Sequence, residues 1–563
     1  MEDRDFGIVV TDAEGGFEVE LDGQHRFLVL EVLECSWTFS ENHRPVEATR
    51  VLNEVRLPFG PGEHGDVGVS IWPYRSDFPS PRSGWMNGKA CQSYTPGYHK
   101  VLLGSFAKVM PVKALLAAEH KVAGKHLSLE RVQKHLPETA TTRQPVISRS
   151  DAWLADQLLN GFDIELRVGR NAENPEQLRV RIAWPEMPPK NELDLSDVDI
   201  TLEDQDGTLM PVRIIADVRS PKDGAYQHKR TVSVPGDACW EAAKRLVRCQ
   251  YLLHGALDGH ILRTHMQTEM YAIAVFRNLR KSPVLRILGP HLKEIVAQNH
   301  DGDGFAWGPD GIVLVQSSLT MDHVNRRISE KLGGWDWSTF SPREPLRPSH
   351  RYAYAGQRFW ALLKHYVGSF LAEHRPQIQE QWLELKMLSK DLVEHAAPYV
   401  PQVADSLVLP VDQGELDQPM PPRPVHQGVA RAVRHLTEVE LPVSEDWQRL
   451  EQFICYVLYQ CTFNHSWTHD GQYQAGGELA YATFGLRGGS LAPESETDVL
   501  PPFERNLDSI TTNAVGIKAG YGFLLADEDG DVPPQLKQAL QDAQADFAAL
   551  GVDVAKIRSR INI

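Results

Sequence analysis

The sequence predicts a mainly α protein, with a long central helix in its larger part and a mixed α/β region before it. Three observations lead there. From about residue 238 apolar residues recur at three-and-four spacing through CWEAAKRLVRCQYLLHGALDGHILRTHMQTEMYAIAVFRNLR, far beyond an ordinary helix length. Two more such runs follow, YAYAGQRFWALLKHYVGSFLAEH and a stretch from Ser444 to about 469. Strand-like runs with period-two patterning lie almost entirely before 238.

The elements read in chain order. RFLVLEVLE and DVGVSIWPY are strand candidates, parted by the Pro/Gly-rich LPFGPGEHG, and VKALLAAEHKVAGKH reads as a helix. SDAWLADQLLNGFDIEL gives a helix, an Asn-Gly break and a strand-like run. RVRIAW and MPVRIIADV are short strand candidates in a charged, Pro-rich stretch from 170 to 236. The apolar residues of the 238–280 run are spread round much of its circumference, which predicts a buried helix. Residues 399–426 form a Pro-rich acidic connector. Ser444 caps the third long helix, and a last helix spans about 534–550. Residues 1–145 are read as a mixed α/β cap region and 146–563 as the helical domain.

Composition narrows the classes. The 563 residues are 42% hydrophobic and 24% charged, an ordinary globular balance. A formal net charge of −17 argues against nucleic acid or an anionic membrane surface held by bulk electrostatics. No run approaches 18 uncharged apolar residues, so no transmembrane segment is expected. The acidic start MEDRDFGIVV lacks the pattern of a signal peptide, and six scattered cysteines without a CxxC pair read as free thiols. A cytoplasmic location is the expectation; the oligomeric state is not legible.

Histidines supply the chemistry. His465 and His469, four apart on a helix, project from one face about a turn apart, which suits two imidazole ligands. Such pairs also arise by chance among 22 histidines. The central helix carries His254, His260 and His265, at spacings of six and five. At roughly 100° per residue these do not share a face of an α-helix, so two of them act together only through a π segment. Taken alone, they read as core residues. The GxGxxG letters at Gly60–Gly65 hold Pro61 and lack a following helix, and the acidic clusters at 301–303 and 527–531 lack calcium-loop spacing; both read as loops.

The stretch AAKRLVRCQYLLHGALDGHILRTHMQTEMYAIAVFRNL resembles the core helix of lipoxygenases, with an Ala-Lys near its start, ligand histidines five apart, and a further histidine and a Glu beyond. SPVLRILGPHLKEIVAQN resembles the segment after it, FNHSWTHDGQYQAGG the second ligand helix, and Ile563 the family's terminal isoleucine. The resemblance runs in islands from about 149 to 563 and lacks an evident N-terminal β-sandwich, as in short bacterial members. It implies a lipoxygenase-like helical catalytic domain whose central helix has a π segment. Metal ligands would be His254, His260, His465, His469 and the main-chain carboxylate of Ile563, with His265, Glu269 and Gln472 around them. The family pattern puts its first ligand at Gly255, so His254 stands one place off, and without it only three histidines and the carboxylate remain.

The implied cofactor is non-haem iron, cycling between Fe2+ and Fe3+, with manganese also compatible. The implied reaction is O2 insertion into a polyunsaturated fatty acid at a 1,4-diene, begun by metal-hydroxide hydrogen-atom abstraction and ending in a hydroperoxide. The implied substrate pocket is an apolar tunnel lined by Leu262, Ile287 and Leu288, with Gly302 at the position that influences stereochemistry. NHDGDGFAWGPDG departs from the family pattern around 299–312. Two alternatives stay open: a metal oxygenase of the same fold acting on a non-lipid small molecule in a tailoring pathway, and a metal-free lipid-binding or scaffold relative.

Overall fold

The computed structural model describes residues 27–36, 47–58, 98–123, 134–135, 150–190, 193–222, 225–279, 281–293, 295–302, 306–307, 311–332, 337–391, 444–476, 483–487, 501, 503–518, 522–526 and 532–561. DVGVSIWPY, the 399–426 connector, the Gly60–Gly65 letters and the acidic cluster at 527–531 lie outside them.

In the N-terminal region β1 (Phe27–Ser36) and β2 (Glu47–Pro58) pair antiparallel, and a helix spans Tyr98–Ala123. The next helix, Asp151–Asn160, begins where expected: Ser150 Oγ accepts from Trp153 N–H at 3.1 Å, an N-cap.

The stretch read as short strands is instead a six-stranded antiparallel sheet in the order β3 (Val168–Arg170), β4 (Leu178–Ile182), β5 (Leu193–Gln205), β6 (Thr208–Lys222) and β7 (Ala225–Ser233), with β8 (Leu486–Arg487) on β5. Its main hairpin joins β5 (Leu193–Gln205) to β6 (Thr208–Lys222). Asp206 and Gly207 make the turn, with φ of 53° and 85°, the both-positive pair a two-residue hairpin loop needs. Gly207 supplies that conformation without a Cβ penalty, and its N–H donates to Asp204 Oδ1 at 2.7 Å. Ile200, Leu202, Ile214 and Ala216 turn into the core. Trp184 closes the contact with the helices by donating its indole N–H to Gln250 Oε1 at 2.8 Å.

The central rod passes through the interior as an α-helix (Trp240–His254), a π segment (Gly255–Met266) and an α-helix (Gln267–Asn278). Lys244 and the Trp240 indole, near its start, hold Asp151 of the preceding helix. The second rod repeats the plan with α-helix Ser444–Tyr459, a short π turn Gln460–Asn464 and α-helix His465–Gly476. Sequence periodicity shows it as one helix and hides the π turn. That turn is flanked by side chains serving its carbonyls: Thr462 Oγ1 donates to Leu458 O and Ser466 Oγ to Thr462 O, both at 2.6 Å. The expected last helix is two, Pro534–Asp542 and Gln544–Ala549. Among the described helices none is long and apolar enough to cross a membrane.

The C-terminal tail runs back into the core. Gln298 donates to Ile561 O at 2.9 Å, His291 to Ser559 O, and Arg558 N–H to Ser466 Oγ at 2.7 Å. Ile561 and Ile557 are buried.

Candidate metal centre

The π segment decides which histidines meet. Its i→i+5 hydrogen bonding brings residues five apart to nearly the same side of the rod. His260 and His265 are five apart and lie wholly inside Gly255–Met266, and their ring centroids are 4.9 Å apart. The second rod presents His465 to both, with centroids 5.3 Å from His260 and 5.5 Å from His265. One ligand atom from each of His260, His265 and His465 falls within 4.8 Å of the other two, all three residues buried. His469 flanks this triad, its ring 5.3 Å from His465 and 5.7 Å from His260.

The rings are oriented from outside. His260 Nδ1–H donates to Gln472 Oε1 at 2.9 Å, and His265 Nδ1–H to Asn299 Oδ1 at 3.0 Å. Each bond fixes the tautomer whose Nε2 keeps its lone pair, the arrangement that metal-binding histidines use. Asn299 is itself held, its amide donating to Glu269 Oε2 at 2.7 Å and to His265 O at 3.1 Å. Burial, then the neighbouring His469, His260, His265 and Arg558, holds the His465 pKa well below the usual imidazole range, so that ring is neutral. Two imidazoles with amide-anchored outer nitrogens and a third held neutral by burial fit a first-row transition metal.

His254 stands apart from these rings. Expected as first ligand, it has Nδ1 2.6 Å from Asp163 Oδ2 and Nε2 3.0 Å from Asp258 Oδ2, so both nitrogens serve carboxylates. Burial pushes its pKa down, but Asp163 and Asp258 outweigh that and raise it to about 9. An imidazolium has no lone pair to give. Asp258 is in turn held by Arg327, with N–O distances of 2.8 and 3.0 Å, and by Lys331 at 3.2 Å. His265, expected as a non-ligand neighbour, is one of the three converging histidines. The six-residue step from 254 to 260 does not close on a π turn, whereas the five-residue step from 260 to 265 does.

At Gly255, where the sequence reading placed the family's first ligand, a side chain fits only if its neighbours shift. A Cβ there would lie 2.3 Å from Phe162 Cε2. Phe162 is wedged between the rods, since a Cβ on Gly471 would lie 2.5 Å from its own Cβ. Tyr251 packs on its ring edge at 4.8 Å.

Ile563, the expected carboxylate ligand, lies outside the described residues. Leu262, Ile287 and Leu288 are buried in the core. Gly302 faces Trp307, whose ring atom Cη2 would be 2.3 Å from a Cβ at that position. A cavity of about 520 Å³ opens between the Asp151–Asn160 helix and the outer face of the second rod, with Trp153, Phe162, Trp467 and Lys556 among its walls. None of the four expected pocket residues lines it. Sequence reasoning missed Phe162 and the Asp163–His254–Asp258–Arg327 network; the i, i+4 placing of His254 and Asp258 was the one available signal.

Comparison with known proteins follows the same lines. The lipoxygenase family model matches residues 198–321. A crystal structure of a 9R-lipoxygenase from Cyanothece PCC8801 is 30% identical, covers 100% of this chain and 89% of that one, and superposes with a TM-score of 0.75. The chain belongs to the lipoxygenase family. Among curated relatives, Linolenate 9R-lipoxygenase of Nostoc sp. is 24% identical over 251 residues, covering 44% of this chain but only 28% of that protein. A lipoxygenase variant crystallised anaerobically with arachidonate shares the fold at a TM-score of 0.59 and 15% identity, covering 85% of this chain and 76% of its own.

Proposed function

We propose that this protein is a non-haem iron dioxygenase of the lipoxygenase type, inserting O2 into a polyunsaturated fatty acid at a 1,4-diene to give a hydroperoxide. The observation that carries this reading is the convergence of His260, His265 and His465 in the interior of a lipoxygenase fold. The names of the relatives support the substrate class. The histidine donor set suits iron, with manganese also compatible. Zinc fits the donors but cannot change oxidation state.

When bound, the redox-active ion supplies the one-electron oxidation that removes a hydrogen atom from the bis-allylic carbon, and O2 then adds to the carbon radical. The chain supplies the rest. Gln472 and Asn299 hold the two ring tautomers, and Glu269 holds Asn299. Leu262, Ile287 and Leu288 keep water from this part of the interior.

The test is oxygen uptake with linoleate in the iron-loaded protein, read with conjugated-diene absorbance. We expect both signals to rise together. Bound iron with no diene hydroperoxide from any of several polyunsaturated acids would overturn the substrate reading.

A further inference from the structure

We propose that the cavity behind the second rod is a further ligand site, taking an amphipathic monocarboxylate with its apolar body against the aromatic walls and its carboxylate at Lys556. The site stands independently of the oxygenase reading, because none of His260, His265 and His465 lines it.

Helix geometry separates the cavity from the histidine cluster. The helix His465–Gly476 turns Ser466, Trp467, Asp470, Gly471 and Gln474 towards the cavity. Their spacings make one stripe along the helix. At roughly 100° per residue, the midline of that stripe lies about 180° from His465, His469 and Gln472. One rod thus carries the histidines on one face and the cavity on the other.

The walls set the chemistry of the guest. Phe162 and Phe463 are buried and give an apolar floor, and Trp153 and Trp467 stand half-buried beside it. The Trp467 indole N–H is engaged by Asn160 O and Gly161 O, at 3.2 and 3.0 Å, so this ring has only apolar surface left for a guest. The volume of about 520 Å³ suits a small molecule. Both carboxylates of the lining are occupied: Asp470 holds the Arg558 guanidinium at 2.8 Å, and Asp553 Oδ1 accepts the Ala555 N–H at 3.1 Å. Lys556 is exposed and, among the described residues, has no ion pair. The unmatched charge is therefore positive and calls for an anionic end. Asp470 and Asp553 oppose a more highly charged anion such as phosphate, which favours a single carboxylate. Occupancy reaches further than the cavity. Phe162 also fills the gap between the rods, close to Gly255 and Gly471, and Ser466 holds the tail through the Arg558 N–H.

The experiment uses the full chain and two probes, dodecanoate and 2-naphthoate, a flexible chain and a flat ring with the same carboxylate. Neither contains a 1,4-diene, so neither is consumed. Calorimetry measures affinity, and amide hydrogen exchange locates the guest. We expect at least one probe to bind and to slow exchange at 153–162, 463–475 and 551–557. Lys556→Glu, at an exposed position that leaves the core untouched, should weaken binding by about tenfold or more, as the loss of a charge-assisted hydrogen bond does. Ala475→Trp, which fills the cavity from its half-buried side, should abolish binding.

Dodecanoate alone assigns the site to acyl-chain acids, and 2-naphthoate alone to aryl acids. Binding of neither overturns the proposal. So does binding that ignores Lys556→Glu, because the carboxylate then lies elsewhere. Protection centred on Leu262, Ile287 and Leu288 overturns it as well, since the acid then occupies the interior beside the histidines. A protein that binds the probes behind the second rod without oxidising any fatty acid keeps this site and loses only the oxygenase reading.

Discussion

His254 shows how one imidazole is decided by what faces it. Between Asp163 and Asp258 it is a buried cation, and the loop at 161–167 is tied through it to the π segment. His254→Ala should cost on the order of 3–5 kcal/mol, because the buried Asp163 carboxylate loses its imidazolium while Asp258 keeps Arg327 and Lys331. Urea titration at neutral pH measures it. The pH dependence follows from a folded-state pKa raised to about 9 above an ordinary 6.5. The stabilisation is complete below about pH 6.5 and is lost as pH rises through 9, since the unfolded chain gives up that proton first. Stability of the unaltered protein should therefore decline between these values, and the decline should be absent in His254→Ala. The two close glycines have similarly direct tests. Gly255→Ala drives a Cβ into the Phe162 ring and Gly302→Ala into Trp307. Each should destabilise by about 1–3 kcal/mol, read as a fall in urea midpoint without a change in slope.

At the scale of elements, the two rods share one device, an α-helix interrupted by a π segment at the depth of the histidines. In the central rod it aligns His260 with His265. In the second it lies immediately before His465, while His465 and His469 sit on regular α-helix. The tail is an element in its own right, sewn to the second rod through Arg558 N–H and Ser466 Oγ and to Asp470 through the Arg558 guanidinium at 2.8 Å. Ser466→Ala removes the acceptor of a buried amide and should cost about 1–3 kcal/mol. Amide hydrogen exchange should show the loss concentrated at 557–561. Exchange that accelerates uniformly over the whole chain would mean that the tail does not behave as a separate unit.

For the whole molecule, the histidine cluster joins parts of the chain some 200 residues apart, so a metal held there would couple its binding to folding. An ion that binds only the folded state stabilises it by about 4 kcal/mol when free metal is 1,000 times its dissociation constant. Chelation should lower the melting temperature, and Fe(II) should restore it in proportion to occupancy. A melting temperature indifferent to metal would place the ion on a surface rather than between the rods. The antiparallel sheet forms one wall of this body and meets the central rod through Trp184 and Gln250.

How much of this was legible in the sequence follows from the range of the forces involved. Helical periodicity, the Ser150 cap, the need for a π segment and the pairing of His465 with His469 are local, and one chain's spacing determines them. The order of motif islands also sufficed to place the chain among lipoxygenases. The length of the β5–β6 hairpin was hidden because charged exposed positions interrupt an apolar alternation that only cross-strand pairing completes. The different surroundings of His254 and His265 belong to the tertiary structure alone. Nothing near residue 254 in sequence announces Asp163 on one side or a phenyl ring filling the space beside Gly255. Which imidazoles converge is set by residues brought from elsewhere in the chain, Gln472 and Asn299 holding the outer nitrogens of His260 and His265 and Asp163 engaging His254.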